Sequence, residues 1–351
     1  MADIRELEGK RILVTSIVAS KENVEATKLF EDLQDVVDMD LKSGVKIDRT
    51  HPAKRLLNKF SGGYISPTMI KGFSDCPANQ LLQALTPWSP TAVTSIGTST
   101  HSIFQKFYEL PSGERKIETL DKIKEEEIIA FGQQDSAQAV RDINWYVEGF
   151  KNTNDYLDLS KPVDHDNLNA FNEVHIKGTP KPLGVEIPKP IYTLMDRVDF
   201  RGKNMDEVYI IDYKTGRRID DYYVRSMDGY LPQLITYKWM VEMEYGMEVQ
   251  GAYLLTPGTK DKVRSLDINS LENQSRWIDE IFAYCEAVDE MAKTRIFPEI
   301  YGKYCGYNEI HKQIEWALKE SGSSSVKYEI QLDITLKKLE KEYEKEEEKK
   351  G

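Results

Sequence analysis

The sequence predicts an α/β protein in which a central mixed β-sheet is flanked by helices, with a helical extension at the N-terminus. Segments with helical spacing of apolar residues occupy the first half of the chain, whereas short strand-like segments bounded by Gly, Pro, Asn and Asp dominate from residue 171 onward. One helical segment, residues 231–246, lies between the third and fourth strand-like segments. Helices before the sheet and a helix among its strands indicate a layered α/β architecture.

Length and composition set broad limits. The chain has 351 residues, of which 40% are hydrophobic and 30% charged, with a mean hydropathy of −0.54. This length fits one elaborated domain or two smaller ones. No apolar run of about 18 residues occurs, and no signal-peptide pattern is present. The cysteines, Cys76, Cys285 and Cys305, are too few and odd in number for a disulfide framework. We therefore expect a soluble, cytoplasmic protein with no membrane partner.

The overall charge limits the classes of function. The chain carries 47 basic and 59 acidic residues, which give a net charge of −12 and a pI near 5.1. Proteins that coat nucleic acid non-specifically are usually basic, so the bulk charge gives no support to that class. An enzyme that takes nucleic acid through a local basic groove remains compatible with this charge.

The first half of the chain is predicted to be mainly helical. Residues 1–62 are interpreted as an extension of mixed helix and loop with no assigned role, and residues 22–41 show helical spacing of apolar residues. Ser66 followed by Pro67 is a helix start signal, and another helix is predicted to open near Thr98. A long helical region is predicted over residues 121–158.

The second half is predicted to hold the sheet. Its helix over 231–246 has Pro232 in the first turn and Gly246 at its end, which are typical start and stop signals. The C-terminal residues 311–351 are predicted to be a charged tail that is helical or disordered. The predicted strands are residues 171–178, 191–200, 206–216, 249–258 and 262–268.

The segment Val208–Arg218, VYIIDYKTGRR, ends an apolar strand on two opposite charges. Side chains of a strand alternate between faces, so Asp212 and Lys214 share one face and Tyr213 lies on the other. The preceding strand carries Asp196, which a short connection can bring close to Asp212. Two carboxylates with a backbone carbonyl from Tyr213 suit a hard cation such as Mg²⁺. On spacing alone, a simple ion pair at a strand end is an equal alternative.

Five motifs in order resemble the RecB-type branch of the PD-(D/E)XK nuclease superfamily, over about residues 64–310. They are SPTMIKGFSDCP, GTSTHSIF, LMDRVDF, YIIDYKTGRR and QLITYKWMVE. The branch includes the exonucleases of CRISPR adaptation and the AddB-type helicase-nucleases. The resemblance implies a restriction-endonuclease-like core over residues 63–310.

The same resemblance assigns roles to individual residues. Gln233 and Tyr237 are four residues apart, so they share one helix face. The divalent cation implied by the family is Mg²⁺ or Mn²⁺, with His101, Asp196, Asp212 and the Tyr213 carbonyl as ligands. The implied catalytic residues are Asp196, Asp212, Lys214, Gln233 and Tyr237.

The cysteine pattern departs from the iron–sulfur members of the family. Where those members have three C-terminal cysteines, this chain has Gly302, Cys305 and His311. Cys76, Cys305 and His311 thus form an incomplete set, which argues against an iron–sulfur cluster because four cysteines are the norm. Zinc bound with a fourth ligand from elsewhere is one alternative, and an eroded site whose remnants pack in the core is the other.

Basic residues interleaved with aromatic ones follow the Asp-Tyr-Lys segment. Basic side chains can contact phosphates, and aromatic ones can stack on unpaired bases. The predicted DNA-binding residues are Arg217, Arg218, Arg225 and Lys238.

Together these features predict a metal-dependent DNA nuclease. The resemblance implies an exonuclease of recombination, repair or replication, with DNA ends or single strands as substrate and proteins of those pathways as partners. One alternative is a catalytically retired nuclease scaffold that binds nucleic acid or protein. A structure-specific or RNA-directed endonuclease would use the same chemistry.

Overall fold

The computed structural model describes residues 1–42, 63–85, 92–154, 165–216, 219–298 and 309–334, together with residues 53, 57 and 60. The chain divides into two compact units. The first unit comprises residues 1–64, 69–88 and 283–351, and the second comprises residues 65–68 and 89–282.

The regular elements are numbered in chain order. The strands are β1 Asp3–Leu7, β2 Lys10–Ser20, β3 Asn23–Glu25, β4 Leu168–Gly178, β5 Ile191–Arg201, β6 Glu207–Tyr213, β7 Val249–Leu255, β8 Val263–Leu266, β9 Ile296–Pro298 and β10 Ser325–Asp333. The α-helices are α1 Thr27–Lys42, α2 Pro67–Asp75, α3 Pro77–Leu85, α4 Ala92–Glu109, α5 Ile117–Ala130, α6 Ala137–Asn154, α7 Asp221–Arg225, α8 Leu231–Tyr245, α9 Leu271–Thr294 and α10 Glu309–Ser321. No described helix is long and apolar enough to cross a membrane.

The first unit contains an antiparallel sheet, so the prediction of a helical N-terminal extension was wrong for residues 3–25. Strand β2 pairs with β1, β3 and β10, and β3 also pairs with β9. The β-branched residues of β2 suit a strand, and its buried positions pack on α1. The partners β9 and β10 lie far along the chain, which local spacing does not reveal. The predicted helix within residues 22–41 is confirmed as α1.

Aromatic packing closes the core of this unit. Phe30 of α1 stacks on Phe297 of β9 with ring centroids 5.9 Å apart, and Phe60 meets both rings edge-on. The predicted helical or disordered tail is corrected for residues 325–333, which form β10 along β2. These residues form a strand because they pair with β2, which is distant in sequence, and charged residues are compatible with an edge strand. Residues 335–351 lie outside the described residues.

The second unit contains the predicted mixed sheet, in the order β4-β5-β6-β7-β8. All neighbours are antiparallel except β6 and β7, which run parallel and are joined through α8. A parallel pair requires such a crossover, which is why a helix lies among the strands. The predicted end signals of α8 are confirmed, since Pro232 lies in its first turn and Gly246 ends it with a left-handed φ of 65°.

The helices of this unit differ in detail from the sequence prediction. Helix α4 begins at Ala92 rather than near Thr98. The predicted long helical region contains two helices, α5 and α6, separated by a turn with Gly132 at a φ of 64°. Ser99 and Thr100 are buried within α4, and each hydroxyl donates a hydrogen bond to the Ile96 carbonyl, so neither is left without a partner.

A buried cation lies in the core between the sheet and α4. Arg197 of β5 is fully buried, with its guanidinium 3.7 Å from the ring centroid of Tyr108, and it donates to the Tyr213 hydroxyl at 2.8 Å. Its charge is matched by Asp199, whose Oδ1 lies 2.7 Å from Arg197 Nε and whose Oδ2 also accepts from Arg201. A buried charge of this kind is tolerated only when it is paired.

The substitution Asp199→Ala should destabilise the fold by about 3–5 kcal/mol, because it leaves Arg197 buried without its counter-ion. Urea unfolding measures the change. The matched control is Arg276→Ala, which breaks the exposed Arg276–Glu280 pair and should cost less than about 1 kcal/mol. Equal losses in the two variants would contradict the assigned role of the buried pair.

Candidate active site

The Asp-Tyr-Lys segment ends β6 as predicted. Asp212 is buried and forms an ion pair through Oδ2 with Lys214, whose side chain is 21% exposed. Tyr213 points to the opposite face, where its ring packs against Phe104 and Phe150. The Lys214 amide donates to the Leu255 carbonyl at 2.9 Å, which holds the lysine backbone against β7. The two charged residues therefore face one side of the sheet end from a fixed backbone.

Asp196 of β5 joins this group through two contacts. Its Oδ2 accepts a 2.7 Å hydrogen bond from the Tyr213 amide, and its Oδ1 lies 3.5 Å from His101 Nδ1 on α4. The carboxylate is thus held between the neighbouring strand and a helix. The structure brings together three predicted side chains, those of His101, Asp196 and Asp212, with the Tyr213 backbone between the two carboxylates.

Helix α8 adds Gln233 and Tyr237 from one face. Gln233 Nε2 lies 2.5 Å from the Tyr237 hydroxyl and 3.4 Å from Asp212 Oδ1. The Tyr237 hydroxyl donates to the Leu194 carbonyl of β5 at 2.7 Å. The pair therefore links Asp212 to the backbone of the strand that carries Asp196.

The two carboxylates have unlike proton affinities. Burial, together with the negative charge of Asp196 and despite the charge of Lys214, raises the pKa of Asp212 to about 6. Burial also opposes ionisation of Asp196, but the hydrogen bond and charge of His101, the charge of Lys214 and the Tyr213 amide hold the pKa of Asp196 below its ordinary value. Burial disfavours the Lys214 ammonium, yet the charges of Asp212 and Asp196 raise the pKa of Lys214 overall.

The donor set fits a hard divalent cation. No group of three or more His, Cys, Asp or Glu side chains spaced to hold a metal is found among the described residues. Mg²⁺ typically takes one or two carboxylates and completes its shell with waters and substrate phosphates, and Asp196 and Asp212 provide two carboxylates. Asp212 Oδ2 is paired with Lys214, whereas Asp212 Oδ1 has only a 3.4 Å contact with Gln233 Nε2 and so keeps spare acceptor capacity. The carbonyl of Tyr213 remains a predicted ligand.

The predicted DNA contacts have mixed outcomes. Arg217 and Arg218 lie outside the described residues. Arg225 on α7 is exposed and binds the Asp221 carboxylate and the Ser265 carbonyl. Lys238 is corrected: it is 8% exposed and forms an ion pair with Glu242 inside α8, so its ammonium is not presented to a phosphate.

The predicted cysteine and histidine set stays a prediction. Cys76 is fully buried between α2 and α3. Cys305 lies outside the described residues, and the side chain of His311 on α10 is not among the described ones. Cys285 is buried in α9, as its place in an apolar helical pattern predicts.

Glu173 of β4 is a site residue that sequence reasoning missed. The pairs Asn172–Arg197 and Val174–Met195 put Glu173 directly across from Asp196. Its backbone is left-handed, with φ 49°, which is uncommon for a side chain of this size. Burial and the charge of Asp196 raise the pKa of Glu173. The alternation of FNEVHIKG places this carboxylate on a strand, but only the strand register shows which residue it faces.

Two substitutions next to Asp212 should shift its pKa in opposite directions. Lys214→Met removes a cation that favours the carboxylate, so the pKa of Asp212 should rise above about 6. Asp196→Asn removes a like charge, so that pKa should fall. Carbon-13 NMR titration of the metal-free protein measures both. Shifts of the same sign in the two variants would contradict this arrangement.

Tyr237→Phe should lower the free energy of unfolding by about 1–2 kcal/mol, because Gln233 loses its partner hydroxyl and the Leu194 carbonyl loses its donor. Chemical denaturation measures the loss. Tyr222→Phe is the matched control, since that ring is 82% exposed, and it should change stability by less than about 0.5 kcal/mol.

One family model matches the chain, and solved structures align with it. The family model of the PD-(D/E)XK nuclease superfamily matches residues 64–310. Solved structures that align with the chain include a protein from Eubacterium rectale for which exonuclease activity has been proposed, at 11% identity over 77% of this chain and 93% of the other, with a TM-score of 0.46. The structure of SSO0001 aligns at 14% identity over 74% of this chain and 86% of the other, with a TM-score of 0.31.

No curated protein matches the chain. The family match alone covers well over half of the residues and includes each element that carries the site. The chain belongs to the PD-(D/E)XK nuclease superfamily.

Proposed function

We propose that this protein is a Mg²⁺- or Mn²⁺-dependent deoxyribonuclease that hydrolyses phosphodiester bonds, acting as an exonuclease on free DNA ends or single strands. One observation carries the proposal: Asp196 and Asp212, from adjacent strands, meet Lys214 and His101 at one sheet end. A family member that had lost its chemistry would be expected to lack part of this set.

The cation would be held by Asp196 and Asp212, with His101 and the Tyr213 carbonyl as further predicted ligands. A bound cation would polarise a phosphoryl oxygen and would lower the pKa of the attacking water. Asp196 and Asp212 favour a bound cation, because burial and repulsion make two adjacent carboxylates costly to ionise without one.

Lys214 is the group suited to the reacting phosphate. The charges of Asp212 and Asp196 outweigh burial and raise the pKa of Lys214, so Nζ carries a proton in the metal-free protein. A partly exposed ammonium beside the carboxylates can orient the attacking water and offset the charge that develops on the phosphate oxygens. Tyr230 limits the space on one side, with its ring centroid 5.0 Å from Nζ.

Gln233 and Tyr237 act as positioning residues. The Gln233 amide holds Asp212 Oδ1, and the Tyr237 hydroxyl anchors Gln233 to the β5 backbone. Their hydrogen bonds keep the two acidic strands in fixed relation, and small displacements of catalytic groups reduce rates strongly.

The finer parts of the proposal rest on the resemblance to RecB-type nucleases. These are the preference for ends, the role in recombination, repair or replication, and the association with proteins of those pathways. DNA rather than RNA as substrate rests on the same ground. The proposed cytoplasmic location rests instead on the few, odd-numbered cysteines, which fit a reducing compartment. A retired scaffold that only binds nucleic acid is the competing function, motivated by the incomplete cysteine set.

The experiment is digestion of end-labelled linear DNA and covalently closed circular DNA, single- and double-stranded, with Mg²⁺, Mn²⁺ or EDTA. Wild-type protein should degrade linear DNA only with metal and should spare circles. Asp212→Asn and Lys214→Ala should each lower the rate by at least about a hundredfold, since each removes a group that stabilises the transition state.

Arg276→Ala is the control for these variants, because its exposed ion pair lies on α9 and outside the site. Cleavage of circular DNA would identify the protein as an endonuclease rather than an exonuclease. Full activity in Lys214→Ala would overturn the site assignment, and no cleavage with any metal would favour the retired scaffold.

A further inference from the structure

A basic groove lies at the β8 edge of the sheet in the second unit. It has a volume of about 570 Å³ and is lined by the end of α6, by α7 and by the connection from β7 into β8. The charged residues of its lining are Asp221, Arg225, Lys260, Asp261, Lys262 and Arg264. Four cationic side chains therefore stand against two carboxylates, in a protein whose net charge is −12.

The two arginines are built into the groove wall. Arg264 is 5% exposed, lies 3.7 Å from Asp221 Oδ1 through Nε, and donates to the Ile219 carbonyl at 3.4 Å. Arg225 binds the same aspartate and the Ser265 carbonyl of β8. One carboxylate thus serves two guanidiniums, which leaves the wall with an excess of positive charge. Burying Arg264 is costly without a compensating anion.

The two lysines extend from a rigid loop. The Thr256 backbone N–H donates to the Lys262 carbonyl and its hydroxyl donates to the Asp261 carbonyl. The Thr259 hydroxyl lies within hydrogen-bond distance of two acceptors, the Thr256 and Asp261 carbonyls. Lys260 is exposed and Lys262 half-buried, and neither forms an ion pair with any described residue. Their ammonium groups are therefore available to an external anion.

Strand register ties the groove to the candidate active site. Asp212 pairs with Leu254, and Leu254 pairs with Arg264, so these three residues form one row across the sheet. Neighbouring strands are about 4.8 Å apart, so the backbone of Arg264 lies about 10 Å from that of Asp212. Two strand spacings therefore separate the row of the candidate site from that of the groove.

Two exposed aromatic rings lie on α6 and α7, the helices that contribute to the groove lining. Tyr222 follows Asp221 on α7 and is 82% exposed, and Trp145 of α6 is 57% exposed while its indole N–H binds the Gly258 carbonyl of the lysine loop at 3.2 Å. Aromatic faces next to cations suit unpaired bases, because every base can stack while its phosphate meets a lysine or arginine. Paired bases in a duplex offer no free face for such stacking.

We propose that this groove binds the sugar–phosphate backbone of single-stranded DNA next to the scissile bond, with Lys260 and Lys262 on phosphates and Tyr222 and Trp145 against bases. The inference rests on the proposed nuclease function and extends it, since it names the strand form that the site takes and the residues that hold it. Arg264 and Arg225 form the fixed wall, and the hydrogen-bonded loop presents Lys260 and Lys262 to the phosphates.

The test is fluorescence anisotropy of a labelled single-stranded oligonucleotide in EDTA, repeated over a series of salt concentrations. Lys260→Ala/Lys262→Ala should bind more weakly and should lower the slope of log affinity against log salt by about 1.4, or about 0.7 for each lost phosphate contact. The double variant Lys122→Ala/Lys203→Ala changes the net charge equally at exposed positions outside the groove and should leave the slope unchanged. Tyr222→Ala should weaken binding at least about fivefold.

Cleavage of a small chromogenic phosphodiester separates this inference from the nuclease proposal, because that substrate reaches only the active site. The lysine variant should cleave it at the wild-type rate. Equal salt slopes in the groove and control variants would overturn the proposal that the groove binds a single strand. Tighter binding of a blunt duplex than of the single strand would overturn it as well. Lysine-dependent binding by a protein that cleaves neither substrate would support the groove and refute the nuclease.

Discussion

The site depends on one hydrogen bond, from the Tyr213 amide of β6 to the Asp196 carboxylate of β5. This bond uses a backbone group beyond the last β5–β6 pair at Arg197 and Ile211, where the ladder no longer needs it. Asp196 is thereby held next to Asp212, and its negative charge contributes to the raised pKa of Asp212. The charged groups of the site therefore begin one residue beyond the last β5–β6 pair.

The opposite face of the same strands explains why this centre is rigid. Arg197 and Tyr213, each one residue from a site carboxylate, are fully buried and bonded to each other against the rings of α4 and α6. Because side chains alternate along a strand, packing on one face fixes the direction of the acidic groups on the other. In both the D-R and the D-Y-K motif, a carboxylate of the candidate site is therefore followed directly by a residue that packs in the core.

Charge is distributed unevenly over an acidic chain. Asp196, Asp212 and Glu173 make the site negative, which favours a cation, whereas the groove two strands away is positive, which favours a phosphate backbone. Local fields of opposite sign can coexist at this separation, because a net charge says little about a single cleft. Such an arrangement suits an enzyme that must hold a metal and a polyanion together.

The sequence by itself determined the mixed sheet, the α8 crossover and the order of the site motifs, because alternation, helical spacing and Gly or Pro signals are local. It also predicted that Gln233 and Tyr237 share a face, which the structure agrees with. Only the tertiary structure decided the N-terminal sheet, the burial of Lys238 and the position of Glu173 opposite Asp196. Each of these depends on strand register or on packing between segments distant in sequence, and no local pattern carries that information.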